Sequence, residues 1–323
     1  MAARADSGRP ELVSLRHLRS SDLEALLTEE TNYWREHLRW DFSASADLVG
    51  RYLDMAALPG FALWTGKRVA GYCYYVIDDQ KALIGDLFLS ESLADPIREQ
   101  QLLEAALREV AETSGIRRIE SQVMMMRYPL DPEAITRRSL RLHAERFLRF
   151  FMVSRQIRLP SRERSGDGFE IRPWTTAWQE DTARLVADCY EQHIDSQIND
   201  QYRSVAGARR FLSNIVLYPG CGEFAESASF AAIDHRDGAL LGVVLSSRVG
   251  PEAGHLTQVC VAPHQQGRGI GRRLIECSLA ALTRTGCAEV SLTVTAENRA
   301  AVSLYQRLGF VVERPFTAYV WHR

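Results

Sequence analysis

The feature that most restricts what this chain can fold into is a faint internal repeat. Phe61-Ala-Leu-Trp64 leads into Val69-Ala-Gly71 and the strand-like run Tyr72 to Ile77; much later, Phe230-Ala-Ala-Ile233 leads into Leu240-Leu-Gly242 and Val243 to Ser246. In each copy a polar turn, Thr65-Gly66-Lys67 or His235 to Gly238, separates two apolar runs, which is the pattern of a β-hairpin. Another strand follows, Ala82 to Leu89 or His255 to Val261. Helical spacing comes next, through Leu102, Leu103, Ala106, Leu107 and Val110 in one copy and Ile270, Leu274, Cys277, Ser278 and Ala281 in the other. A further strand, Arg118 to Met126 or Glu289 to Thr295, precedes a last helix, which the pattern ends at Phe150-Phe151 and at Gly309-Phe310. One unit used twice predicts two like domains. Each is expected to be α/β of the α+β kind, a mixed and mainly antiparallel sheet flanked by helices. The polar stretch Ser161 to Gly168 has linker composition. It divides the chain into a loose tail at 1–10, a domain at 11–160, a linker at 161–168 and a second domain at 169–323.

Composition removes several function classes. With 323 residues, each half is long enough to bury its own core. The balance of 39 basic against 41 acidic side chains argues against a nucleic-acid binder. No apolar run is long enough to span a membrane, and the N-terminus lacks the apolar region of a secretory signal, so a cytoplasmic protein is expected. Six cysteines without a C-x-x-C pair read as reduced thiols, and no metal site is expected.

The most informative segment is Gln258 to Leu274. A β-branched strand ends at Pro263, a glycine-rich loop follows, and an amphipathic helix opens at Gly269-Ile270-Gly271. Free N–H groups at a helix N-terminus attract anions, and glycine lets the backbone approach a phosphate closely. Arg268, Arg272 and Arg273 add positive charge. Gln266-Gly267-Arg268-Gly269-Ile270-Gly271 resembles the Q/R-x-x-G-x-G/A signature of the GCN5-related N-acetyltransferases, the GNAT superfamily. Asn298 to Phe310, with Ala301, Leu304, Tyr305, Leu308 and Gly309 in step, resembles the later N-x-x-A-x-x-L-Y-x-x-L-G-F motif of the same superfamily. The resemblance covers residues 169–323 well and the first half only in outline.

The resemblance implies a tandem GNAT protein that moves an acetyl group from acetyl-CoA to an amine by direct transfer, with a small-molecule amine as partner and no nucleic acid or membrane involved. It implies that Val259, Cys260 and Val261 hold the pantetheine arm by backbone hydrogen bonds and that Gln266, Gly267, Arg268, Gly269, Ile270, Gly271 and Arg272 hold the diphosphate. Asn298 would contact the cofactor or cap the last helix, and Tyr305 would protonate the departing thiolate. His255, at the start of the cofactor strand, is a candidate general base, with Thr257 and Val259 on its face if no bulge intervenes. Glu191, Asp195 and Asp200 are candidates for collecting a cationic amine. A non-catalytic CoA-binding scaffold and a protein N-terminal acetyltransferase remain open alternatives. The first copy departs from the pattern. After Leu89 it reads Ser90-Glu-Ser-Leu-Ala-Asp-Pro96, without glycines and with two carboxylates, and is expected to be degenerate. Matching Leu148-Arg-Phe150 to Leu308-Gly-Phe310 sets Glu145 against Tyr305 and Arg138 against Asn298.

Overall fold

The computed structural model describes residues 10–66, 68–128, 142–155, 168–218, 220 and 222–323. The first nine residues of the expected tail, residues 161–167 of the expected linker, Lys67 and Arg138 lie outside the described residues. Two compact units emerge, one of residues 1–36, 42–147 and 316–323, the other of residues 37–41 and 148–315.

In chain order the elements are β1 (Glu11–Ser14), α1 (Ser20–Leu38), α2 (Ser43–Asp54), β2 (Gly60–Trp64), β3 (Val69–Asp78), β4 (Lys81–Leu89), α3 (Pro96–Glu112), β5 (Arg118–Ser121) and β6 (His143–Ser154). They continue as β7 (Phe169–Pro173), α4 (Gln179–Tyr190), α5 (Val205–Leu217), β8 (Glu223–Phe224), β9 (Phe230–Asp234), β10 (Leu240–Gly250), β11 (Ala253–Val261), α6 (Ile270–Arg284), β12 (Glu289–Thr295), α7 (Arg299–Arg307) and β13 (Val311–His322).

The expected repeat is present as matched topology. In the first unit β1, β2, β3 and β4 pair antiparallel and β4 then pairs parallel with β5. In the second, β7, β9, β10 and β11 pair antiparallel and β11 then pairs parallel with β12. The apolar stripe of α3 packs with Ile84, Leu87 and Leu89, and that of α6 with Leu256, Leu292 and Val294. Both helices approach a strand glycine. A Cβ at Gly71 would meet Leu89 Cδ1 at 2.6 Å and Leu102 Cδ1 at 3.1 Å, and one at Gly242 would meet Leu274 Cδ1 at 3.1 Å. Each unit also carries one matched β-bulge. Gly85 is extra between the pairs Tyr75–Ile84 and Tyr74–Asp86, and Thr257 is extra between Ser246–Leu256 and Leu245–Gln258.

The last strand of each sheet is exchanged. The strand antiparallel to β5 is β13, in register Tyr319–Ser121 to His322–Arg118, so the C-terminus completes the first unit. The strand antiparallel to β12 is β6, in register Val290–Ser154 to Thr295–Arg149, so a strand from the first copy completes the second unit. This corrects two sequence expectations. Phe150 and Phe151 do not end a helix; they lie inside β6. The spacing of Phe147, Leu148, Phe150 and Phe151 fits a helical face as well as a strand, and sheet pairing decides the matter. The match of Leu148-Arg-Phe150 to Leu308-Gly-Phe310 therefore fails, since Leu308 caps α7 and Gly309 turns the chain at φ 90°, and Glu145 has no counterpart role to Tyr305. The strand expected over Arg118 to Met126 also stops at Ser121.

Tyr319 and Trp321 of β13 are buried in the first unit's core among Leu102, Leu107 and Ile119. Trp321→Ala should cost about 3–5 kcal/mol, the usual range for truncating a buried aromatic side chain. Amide hydrogen exchange should accelerate at Ile119 in β5 rather than at Leu292 in β12. Equal acceleration in both strands would contradict the exchanged pairing.

Candidate active site

Where β11 meets β12 the parallel ladder runs only from Ala253–Glu289 to Leu256–Leu292. The strands themselves continue, β11 to Val261 and β12 to Thr295. Beyond Leu256 they part, and the bulge at Thr257 marks the point. With that extra residue, Val259 does not share a face with His255. Val259 and Val261 pack with the α6 core, whereas Cys260 belongs to the core under α4 and α5.

The glycine loop lies directly after the parted strand. Gly267 and Gly269 have φ of 78° and 83°, and a Cβ at either would meet nothing within 4 Å. Gly269 is the N-cap of α6, with no side chain accepting from the first turn. The opening N–H groups of a 15-residue helix thus have no side-chain cap. Gln266 Nε2 donates to Val261 O at 3.3 Å, and Arg268 donates to Gln265 Oε1. Arg272 is ion-paired to Glu276 at 2.7 Å.

A connected polar group stands at the parted ends, all within the second unit. Thr295, the last residue of β12, donates its hydroxyl to Asp195 Oδ1. Asp195 opens a single helical turn, Asp195–Ile198, and its Oδ2 lies 3.6 Å from His193 Nδ1. Asn298 caps α7 by accepting from Ala301 N–H at 3.2 Å, and its Nδ2 stands 3.0 Å from His193 Nε2. Gln258 Nε2, turned to this face by the bulge, donates to the Tyr190 hydroxyl at 3.0 Å. Tyr190 packs on His193 and on Tyr202, with ring centroids 5.1 and 4.6 Å away. Tyr305, on α7, is almost fully buried and packs edge-on against Phe310. Burial raises its phenol well above the ordinary value, and the charge of Asp195 raises it further, so the hydroxyl keeps its proton at neutral pH. A hollow of about 460 Å³ is bordered by Ala296, Glu297 and Arg299, the chain neighbours of Thr295 and Asn298.

The candidate residues fare differently. Tyr305, Asn298 and Asp195 come together. Glu191 lies exposed at the end of α4, and Asp200 begins the separate short turn Asp200–Arg203. Cys260 is a buried thiol raised by the neighbouring Cys189 and by desolvation. His255 has a different setting. Its ring is buried between Trp40 at 5.1 Å and Phe151 at 6.5 Å, and its Nδ1 is 2.9 Å from Ser291 Oγ. Ser291 gives its one proton to Gly254 O at 3.2 Å, so His255 Nδ1 is the donor of that pair. Residues that sequence reasoning missed are His193, Thr295, Gln258 and Tyr190. Only the Tyr190 to Tyr202 segment was visible as acidic, and none of the four belongs to a motif.

The matching point of the first unit is filled by its own side chains. Its parallel ladder also stops early, at Ile84–Ser121. There the Arg127 guanidinium donates to Leu89 O at 3.0 Å and lies 4.8 Å over the Tyr33 ring. Glu29 accepts from the Ser90 hydroxyl at 2.9 Å and from Glu91 N–H at 2.8 Å, and Asp95 caps α3 through Ile97 N–H at 2.8 Å. Carboxylates stand where the second unit leaves donors uncapped.

A parted parallel strand pair, an uncapped glycine-led helix and a buried, protonated tyrosine are all features of the second unit. Residues 180–310 match the model of the acetyltransferase (GNAT) family. A mycothiol acetyltransferase of Saccharopolyspora erythraea is 39% identical over 87 residues, which span 27% of this chain and 28% of that protein. One from Mycobacterium sp. (strain JLS) is 38% identical over 100 residues, 30% of this chain and 33% of that one. The matched stretches thus span about a third or less of these relatives. Among solved structures, a tandem GNAT protein from the clavulanic acid biosynthesis pathway aligns with a TM-score of 0.63 at 15% identity, covering 97% of this chain and 98% of that one. A GCN5-related N-acetyltransferase from Sphaerobacter thermophilus aligns with a TM-score of 0.65 at 14% identity, covering 96% and 95%. Residues 180–310 thus match the GNAT family, and the fold of nearly the whole chain is that of tandem GNAT structures. Among the described residues there is no helix long and apolar enough to cross a membrane and no cluster of three metal-ligating side chains.

Burial, with the charge of Arg149, lowers the His255 imidazole from 6.5 to about 4. The unfolded chain therefore binds a proton that the folded one refuses. The stability contributed by the neutral ring is complete above pH 6.5 and is lost as pH falls toward 4. In urea unfolding, the stability of wild type relative to His255→Gln should fall as pH drops from 6.5 toward 4, on top of any slope that the two share. A difference between the two that does not change with pH would remove His255 as its source.

Proposed function

We propose that the protein is an N-acetyltransferase that moves an acetyl group from acetyl-CoA to a small polar amine, with one working site, in the second unit. The observation that carries this is the parting of β11 from β12 beside an uncapped, glycine-led helix. Beyond Leu256 the edge of β11 that faces away from β10 is no longer paired with β12, so an extended pantetheine arm can bond there as an added strand would. The N–H groups at Gly267 to Gly271, with Arg268 and Arg272, suit a diphosphate. Acetyl-CoA, when bound, supplies the activated acetyl thioester.

The chain's own residues supply position and proton control. A backbone N–H of β11 stabilises the charge that develops on the carbonyl oxygen. Tyr305 donates its proton to the departing sulfur. Its raised pKa keeps that proton in place until a strong base appears. Asp195, fixed by Thr295, attracts an ammonium ion to the same opening. His255 serves packing rather than proton transfer in this reading. The first unit is a structural partner without acetyl-CoA of its own, because Glu29, Asp95 and Arg127 fill the equivalent positions. The resemblance to mycothiol acetyltransferases supports a small-molecule acceptor. A scaffold needs no protonated phenol at this point, which favours an enzyme.

The test is CoA release over a panel of amines. Tyr305→Phe, which keeps the ring packing, should lower kcat by about 10²-fold with little change in acetyl-CoA affinity. Asp195→Asn should raise KM for a cationic amine more than for a neutral one. Release from no amine, or full turnover in Tyr305→Phe, would contradict the proposal or the tyrosine's part in it respectively.

A further inference from the structure

We infer that Cys189 and Cys260 are a dithiol that a hydroperoxide oxidises reversibly to a disulfide, and that this bridge weakens the binding of acetyl-CoA. The cross-link stands on the thiols alone; its effect on acetyl-CoA rests on the acetyltransferase reading above. Cys189 is the next-to-last residue of α4 and is part-exposed, whereas Cys260 lies on β11 and is buried; both are free thiols. The bulge at Thr257 turns Cys260 toward α4, where the two side chains share one cluster. The Cys189 thiol donates to Val261 O, the carbonyl next after Cys260, with Sγ 3.2 Å away. The two thiols are also hydrogen-bonded to each other. Cys189 has only one proton to give, so Cys260 is the donor within the pair. Two sulfurs already in contact, one from a helix end and one from a strand, have only to close to covalent distance.

The pair lies in the wall of the candidate opening. Charge on the Cys260 sulfur is felt at the phenols of both Tyr190 and Tyr305. Val261 O, at the end of the parted edge, also accepts from Gln266 Nε2 of the glycine loop at 3.3 Å. A bridge removes both thiol protons, so Val261 O loses its bond from Cys189. It also ties the end of α4 to the middle of the segment that would receive the pantetheine arm. The Cys260 backbone is drawn toward α4, away from the line that an added strand needs.

The oxidation balances. The Cys189 sulfur attacks the outer oxygen of the hydroperoxide and the O–O bond breaks. The thiol proton ends on the departing alkoxide, and the sulfur becomes a sulfenic acid. The Cys260 sulfur then attacks the Cys189 sulfur. The S–S bond forms, the S–O bond breaks, and the Cys260 proton leaves with the hydroxyl as water. Two electrons pass from the sulfurs to the peroxide. The order follows from burial. Cys260 keeps its proton, since the adjacent Cys189 and desolvation raise its thiol, and acts second; Cys189 is the thiol open to solvent.

The probe is hydrogen peroxide, applied to the full-length protein before free thiols are alkylated and the chain is digested with trypsin. Cleavage after arginine yields residues 185–203 and 249–268, which hold Cys189 and Cys260 as their single cysteines. The two peptides should be found joined, two hydrogens lighter than their sum, and be released by dithiothreitol. Bridged protein should bind acetyl-CoA about tenfold more weakly in calorimetry, a usual size for coupling between two sites, and recover on reduction. In a thiol–disulfide redox buffer, saturating acetyl-CoA should shift the pair toward the dithiol by the same factor. Cys189→Ser, whose hydroxyl can still donate to Val261 O, should bind acetyl-CoA as reduced wild type does and lose the response to peroxide. Cys260→Ala should still be oxidised at Cys189 but form no joined peptide. No joined peptide from folded wild type, whether Cys189 is untouched or carried on to a sulfinic acid, would overturn the dithiol. A bridge that leaves acetyl-CoA affinity unchanged would overturn its control of binding. Reduced wild type that binds no acetyl-CoA yet forms the bridge would overturn the acetyltransferase reading and that control, and leave the cross-link standing.

Discussion

Everything at the candidate site depends on a ladder that stops early. β11 and β12 pair over four residues and then separate, although both strands continue. Unpaired backbone groups inside a fold are costly unless something else bonds them. The bulge at Thr257 lets the strands part without breaking the antiparallel pairing of β11 with β10, which resumes at Gln258 and Leu245. It also swings Gln258 and Cys260 toward α4, while Val259 and Val261 face α6. The opening therefore has two walls of different character. One is apolar and leads to the glycine turn; the other is polar and leads to Tyr190, His193 and Asp195.

The two units give a controlled comparison within one chain. Both have the parallel pair, the early stop and the bulge. In the first, Arg127 donates to Leu89 O at the end of β4, Glu29 accepts from Glu91 N–H, and Asp95 caps α3. In the second, Gly269 leaves the α6 terminus without a side-chain cap. The same backbone thus leads into a helix capped by a carboxylate or into one without a side-chain cap, according to a few side chains. The first unit's buried acids follow the same logic of internal satisfaction. Glu30 hydrogen-bonds with Asp86 and accepts from the Tyr72 hydroxyl at 2.7 Å, and burial raises both carboxyls, Asp86 to about 6.

What could be read from the sequence was whatever is local along the chain. The glycine turn, the Asn298 to Phe310 motif, the hairpins and the helical stripes each depend on residues a few positions apart, and they appear where expected. The exchange of β6 and β13 was not legible, because both strands have a similar apolar pattern and pattern does not name a partner. By its place at the start of the strand, His255 is a candidate general base. It is buried because Trp40, from a short segment far upstream, lies against it. His193 carried no signal because its setting comes from Asn298, 105 residues later. Of three candidate carboxylates, Asp195 alone is selected by Thr295, which sequence could not pair with it.

The central claim is that the parted β11 edge and the glycine turn receive acetyl-CoA, and that the matched cleft of the first unit does not. Amide hydrogen exchange of the full chain, with and without saturating acetyl-CoA, tests this directly. The account predicts slowed exchange at Val259, Val261 and Gly267 to Gly271, with no change at Leu87, Leu89 and Ile97. Protection of both sets, or of neither at saturation, would contradict it.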